Sequence, residues 1–179
     1  FDMGYRELAK KAESYEICFV PDNAYRSFLK RNVEGLEARV NGGNFVLADG
    51  QIVGKHQGYP FYTIGQRKGL DVALGRPMFV TNIIPESNTV VLGEAYELQR
   101  NQMLVQGLNM IKYDAIPDGM EAVTKIRYRD PGTESTLTNV NGGIMVDFKH
   151  TVSSIAPGQS AVIYEGDDVV AGGIIQKEF

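Results

Sequence analysis

Most of the residues that build catalytic centres are scarce in this chain. Its 179 residues include one cysteine, Cys18, and two histidines, His56 and His150. A lone thiol forms no internal disulfide, and two widely separated imidazoles lack the ligand spacing of zinc or iron sites, so no metal is expected. His56 and His150 read as surface or hydrogen-bonding residues. Cys18 is either an inert buried hydrophobe or a nucleophile. No apolar run approaches the roughly 20 residues of a membrane-crossing helix, and no signal peptide is recognisable. One cysteine without a leader leads to the expectation of a cytoplasmic protein with no membrane partner. Phe1 rather than Met begins the sequence, which is expected of a fragment.

Positive charge is also in short supply. Eighteen Lys/Arg stand against 22 Asp/Glu, a net charge of −4. A protein that simply coats nucleic acid is usually strongly basic, so RNA contact here has to use local basic patches on an acidic body. Gly65-Gln66-Arg67-Lys68-Gly69 has too few glycines and no following helical period for a phosphate loop, and no Gly-x-Ser-x-Gly elbow appears.

The polar and apolar pattern divides the chain into three. Tyr5, Leu8, Ala9 and Ala12 fall on one helical stripe, a short strand runs from Ile17 to Val20, and Asp22 is a candidate N-cap. The helix after it has Ala24, Tyr25, Phe28 and Leu29 on its apolar face. Beyond Gly35, Asp49-Gly50 marks a hairpin between Phe45–Ala48 and Gln51–Val53, and Met78–Ile84 pairs with Thr89–Leu92 around residues 85–88. Six short strands follow, at Met103–Leu108, Ala122–Arg129, Ser135–Val140, Ile144–Phe148, Ala161–Tyr164 and Val169–Ile175. That spacing, broken by glycine-rich turns, predicts a small β-barrel. The expected class is mainly β, with a helical lead-in (1–33), a central β-rich module (34–98) and a C-terminal barrel (99–179).

Three constellations carry candidate chemistry. Cys18 precedes a helix start whose partial positive charge favours a thiolate, yet Ile17, Phe19 and Val20 equally suit a buried thiol. Read as a strand, Thr124–Arg129 sets Lys125, Arg127 and Arg129 on one face and Thr124, Ile126 and Tyr128 on the other. Such a cation row suits a phosphate backbone, or else is a solvated face neutralised by Asp130 and Glu134. The run from His56 through Tyr59-Pro60-Phe61-Tyr62-Thr63-Ile64-Gly65-Gln66-Arg67-Lys68-Gly69-Leu70 suits RNA contact at Arg67 and Lys68, or domain docking.

Four stretches, in order along nearly the whole chain, resemble the tRNA-specific 2-thiouridylases, the ATP-dependent tRNA-uridine 2-sulfurtransferases of bacteria and organelles. They are Glu16-Ile17-Cys18-Phe19-Val20-Pro21-Asp22, the His56–Leu70 run, Lys125-x-Arg127-Tyr128-Arg129, and Ala156-Pro157-Gly158-Gln159-Ser160-Ala161-Val162. The resemblance implies a C-terminal portion without the ATP-pyrophosphatase domain, inactive alone, whose barrel is like the second domain of elongation factor Tu. It implies that Cys18 is the persulfide-carrying catalytic cysteine, loaded by a sulfur-donor protein. ATP, bound outside this chain, adenylates O2 of the wobble uridine. Sulfur from Cys18 then replaces the activated oxygen at C2, and a cysteine absent from this chain resolves the leftover sulfur. Arg127, Tyr128 and Gln159 take positions of tRNA contact, where strand alternation allows both Arg127 and Tyr128 to touch RNA only at a strand end, bulge or edge. Just before Cys18 the chain has Glu13-Ser14-Tyr15 where many relatives have Asp-Ser. The methyltransferase label sometimes attached to the family finds no S-adenosylmethionine-binding signature here. The alternative reading is a non-catalytic RNA-binding or interaction barrel with a structural cysteine.

Overall fold

The computed structural model describes residues 25–176. The expected helix over residues 5–12, the strand at 17–20, the Asp22 cap and Cys18 itself lie outside those residues. The chain divides into two compact units, Phe1–Asn41 and Gly42–Phe179.

In the first unit, helix α1 spans Tyr25–Asn32 and α2 spans Leu36–Val40. Phe28 and Leu29 are half-buried, as the apolar stripe of α1 requires. Lys30 of α1 pairs with Glu37 of α2 across the bend. Leu36 and Val40, four residues apart on one face of α2, are buried.

The second unit opens with a four-stranded sheet. Its strands are β1 (Gly43–Val46), β2 (Ile52–His56), β3 (Phe79–Ile84) and β4 (Thr89–Gly93), in the order β2-β1-β4-β3. The hairpin at Asp49-Gly50 forms as the turn chemistry predicts. Leu47 N–H donates to Gln51 O at 2.9 Å, and Asp49 Oδ1 accepts from Gln51 N–H. The β3–β4 pair also forms, around a 3-10 turn at Pro85–Ser87. The sequence pattern did not reveal that β1 and β4 run side by side in parallel, Phe45 opposite Val90. Phe45, Val80, Val90 and Leu92 are sealed in this sheet's core.

Six strands close into a barrel: β5 (Gln99–Met110), β6 (Met120–Lys125), β7 (Thr133–Val140), β8 (Gly143–Ser153), β9 (Ser160–Glu165) and β10 (Asp168–Ile175), ordered β10-β5-β8-β7-β6-β9. The protein is mainly β, with this closed barrel and a small helical lead-in, as expected from the sequence. Alternate residues point inward, and Val105, Leu137, Ile144, Val146, Ile163 and Val170 have no solvent exposure. Each such aliphatic side chain contributes about 1.5–3 kcal/mol by leaving water. Two hydroxyls share this core: Thr124 Oγ1 and Ser135 Oγ lie 2.7 Å apart, and Ser135 Oγ also donates to Ala122 O. Paired in this way they avoid the penalty of buried, unsatisfied polar groups.

Candidate nucleic-acid interface

The Thr124–Arg129 stretch departs from the expected strand. β6 ends at Lys125, and residues 126–130 turn. Asp130 builds the turn: its Oδ2 accepts from Ile126 N–H at 3.1 Å, its Oδ1 from Gly132 N–H at 2.9 Å, and its own N–H donates to Arg127 O at 3.0 Å. Gly132 is required here, since its φ is +92° and a Cβ would come within 2.5 Å of Val123 Cγ1. The alternation that would separate Arg127 from Tyr128 therefore does not apply. Ile126 still points into the core, but Tyr128, expected on that same face, is 84% exposed.

The row of three cations is corrected at the same point. Lys125 is half-buried on the outer barrel wall, with Nζ 5.0 Å from the Tyr164 ring centroid, a cation–π geometry. Arg127 and Arg129 sit exposed on the turn beyond it. Both oxygens of Asp130 serve backbone N–H groups, while Glu134 lies 3.7 Å from Lys149.

Strand register brings Gln159 to this turn. Val123, Thr124 and Lys125 pair with Tyr164, Ile163 and Val162, so the turn that leaves β6 and the loop that enters β9 at Ser160 lie at the same end of the barrel. Gln159 is exposed, but its backbone is pinned: its N–H donates to Ala156 O at 3.2 Å and its O accepts from Ile175 N–H at 2.8 Å. Arg67 and Lys68 follow a turn that rests on the same barrel end. The tight turn at Gly65-Gln66 rests on Ser154, just past the end of β8, and a Cβ on Gly65 (φ +84°) would lie 2.5 Å from Ser154 Oγ. Gly65 and Gln66 are stitched to Val80 by backbone bonds of 2.8 and 2.9 Å. Arg127, Tyr128, Arg129 and Gln159 thus share one end of the barrel, with Lys125 on its flank, and Arg67 and Lys68 follow directly on the Gly65-Gln66 turn that rests on that end. Cys18 lies outside the described residues.

His56, where the loop begins, is buried against Phe45 and Tyr62, with ring centroids 5.1 and 5.4 Å away. Its Nδ1 accepts from Gly58 N–H at 3.0 Å. Burial pushes its pKa below the ordinary value, opposed by the backbone of Asn88 and Asn44. It is a structural hydrogen-bonding residue at the root of the loop. Its role was legible only as one of two alternatives.

The opposite barrel end has a different character. Lys112 Nζ is held by Glu165 and Asp168, and Tyr113 OH donates to Glu165 at 2.8 Å. The lysine is raised above its normal range by Asp168 and then Glu165, and Glu165 is lowered by Lys112 and then Tyr113. Nothing in the sequence pattern marked this cluster, because its members lie some fifty residues apart along the chain.

The two β parts correspond to two known domain types. Residues 26–94 match the family described as the tRNA methyl transferase PRC-barrel domain, and residues 100–175 match the aminomethyltransferase β-barrel domain. The chain is 55% identical over 179 residues to the tRNA-specific 2-thiouridylase MnmA of Cytophaga hutchinsonii, covering 99% of this chain and 49% of that protein. It is 55% identical over 177 residues to the protein of that name from Amoebophilus asiaticus (98% and 47%), and 46% identical over 177 residues to that from Salinibacter ruber (98% and 46%). The chain belongs to the tRNA-specific 2-thiouridylase family, and it spans about half the length of the curated relatives it matches.

Proposed function

We propose that this chain is the C-terminal part of an enzyme that installs 2-thiouridine at the wobble position of tRNA anticodons in the cytoplasm. Cys18 carries the sulfur as a persulfide supplied by a donor protein. The barrel end bearing Arg127, Tyr128, Gln159, Arg67 and Lys68, with Lys125 and Arg129 beside it, holds the tRNA. The likeness along nearly the whole chain to proteins named for this modification carries the reading. The exposed, convergent cations and Tyr128 support it, because guanidinium groups suit phosphates and an aromatic ring suits an unpaired base.

A thiolate is the one side chain here that accepts and releases sulfane sulfur. The outer persulfide sulfur bonds to C2 as the activated O2 leaves. A second thiol from outside this chain then takes the Cys18 sulfur into a disulfide, leaving the thiocarbonyl on the base. ATP serves the full-length enzyme. The Gly65–Gly69 turn is closed against Ser154 and Val80 and does not suit the phosphates of ATP. Activation of O2 is assigned in this reading to residues outside this chain, and the chain alone is expected to be inactive.

In the full-length protein, Cys18→Ser is expected to abolish 2-thiouridine in bulk tRNA, read by mass spectrometry of nucleosides. Retained modification would refute the catalytic role and leave a non-catalytic barrel with a structural cysteine.

A further inference from the structure

Between the four-stranded sheet and the barrel lies a cleft of about 490 Å³, a size typical of small-ligand sites. It opens at the same barrel end as the turn at 126–130. Ile83 of β3 and Ile155, which follows β8, contribute apolar surface from the two layers, while Arg100, Asn101 and Gln176 bring polar groups. Pro157, two residues before Gln159 in the loop that enters β9, also lines it.

Both strands facing the cleft are irregular where they meet it. In β3 one extra residue, Thr81, interrupts pairing with β4 between Val80 and Asn82. Between β5 and β8 the register jumps from Arg100↔Val152 to Gln102↔Asp147, with the surplus residues in β8 and Asn101 left outside the ladder. Bulges of this kind re-aim side chains and recur beside binding sites. Asn101 is exposed, and its carboxamide has no hydrogen-bond partner among the described residues. The other carboxamides here are engaged: Asn82 Oδ1 accepts from Ile83 N–H, Gln102 pairs with Asp147, and Gln176 donates to Ile174 O. Arg100 is fixed in place, its Nη1 donating to Glu97 O at 2.8 Å and Gln99 O at 2.9 Å. The one carboxylate on the lining among the described residues, Glu97, has Oε1 occupied by Glu94 N–H at 2.7 Å.

We propose that this cleft takes one unstacked nucleotide of the RNA held at the barrel end, its base between the apolar walls, its edge on Asn101 and its phosphate toward Arg100. An asparagine carboxamide offers a donor and an acceptor side by side, the pattern that reads a base edge, and apolar side chains accept a base face. The guanidinium supplies the anion contact. This rests on the tRNA-binding reading above.

The test titrates the full-length protein with an unmodified tRNA transcript. Asn101→Ala, which removes no hydrogen bond within the described residues, is expected to weaken binding about tenfold, the scale of one lost contact to a base edge, and Asn101→Asp is expected to weaken it further. A transcript carrying 4-thiouridine should crosslink on irradiation to the peptide holding Asn101–Met103, and Asn101→Asp should lose that crosslink. If both variants bind like wild type while Arg127→Ala is weakened, the cleft holds no nucleotide and the tRNA reading stands. If Arg127→Ala also binds normally, both readings fall. Crosslinks confined to other peptides overturn the proposal as well.

Discussion

The two ends of the barrel are closed by the same kind of hairpins and turns, yet they treat their cations in opposite ways. At one end Lys112 is clamped between Glu165 and Asp168 with Tyr113 bonded alongside. At the other, no carboxylate among the described residues pairs with Arg67, Lys68 or Arg127, and Tyr128 stands almost fully in solvent. The carboxylate nearest in sequence, Asp130, shapes the turn through backbone bonds instead of neutralising this end. Salt bridges satisfy the first end internally. The second keeps its charge for something outside, which is how an acidic protein offers a local surface to a polyanion.

The comparison breaks hardest at Gly132. Gly132→Val puts a branched side chain at φ +92° and against Val123, so it is expected to cost about 1–3 kcal/mol of stability. Urea unfolding measures that loss. Because the turn holds Arg127 and Tyr128, tRNA affinity is expected to fall with it. Full stability in this variant would mean that the turn is not held as described.

A smaller effect sharpens the opposite end. The Glu165 carboxyl lies below its ordinary pKa, so its contribution is present above about pH 4.3 and is lost as pH falls through the lowered native value. Lys112→Met is therefore expected to be less stable than wild type at pH 7, with a smaller gap at pH 3. Thermal unfolding at both pH values reads it, and an equal gap at the two would show that the clamp contributes nothing. The members of this cluster are exposed, so the pH 7 difference itself is expected to be modest.

Much of this arrangement was legible in the residues. Period-two apolar spacing located all six barrel strands, and Asp49-Gly50 located its hairpin, because local turn chemistry and alternation are written in adjacent positions. The end of β6 was not, since Lys125-Ile126-Arg127-Tyr128 continues a strand-like alternation and only the capture of two backbone N–H groups by Asp130 ends it. The parallel β1–β4 pairing was equally hidden, as some forty residues separate the partners. For the candidate site, Arg127, Tyr128 and Gln159 could be named singly, but their meeting at one end depends on β6–β9 register. The buried place of His56 depends on tertiary packing, which residue type alone does not encode.

The most direct measurement compares Arg127→Ala with Lys112→Ala in the full-length protein by titrating tRNA across a salt series. The account predicts weaker binding and a log–log salt slope flatter by about one for Arg127→Ala, with Lys112→Ala matching wild type. An unchanged slope for Arg127→Ala, or a loss at Lys112 instead, would contradict it.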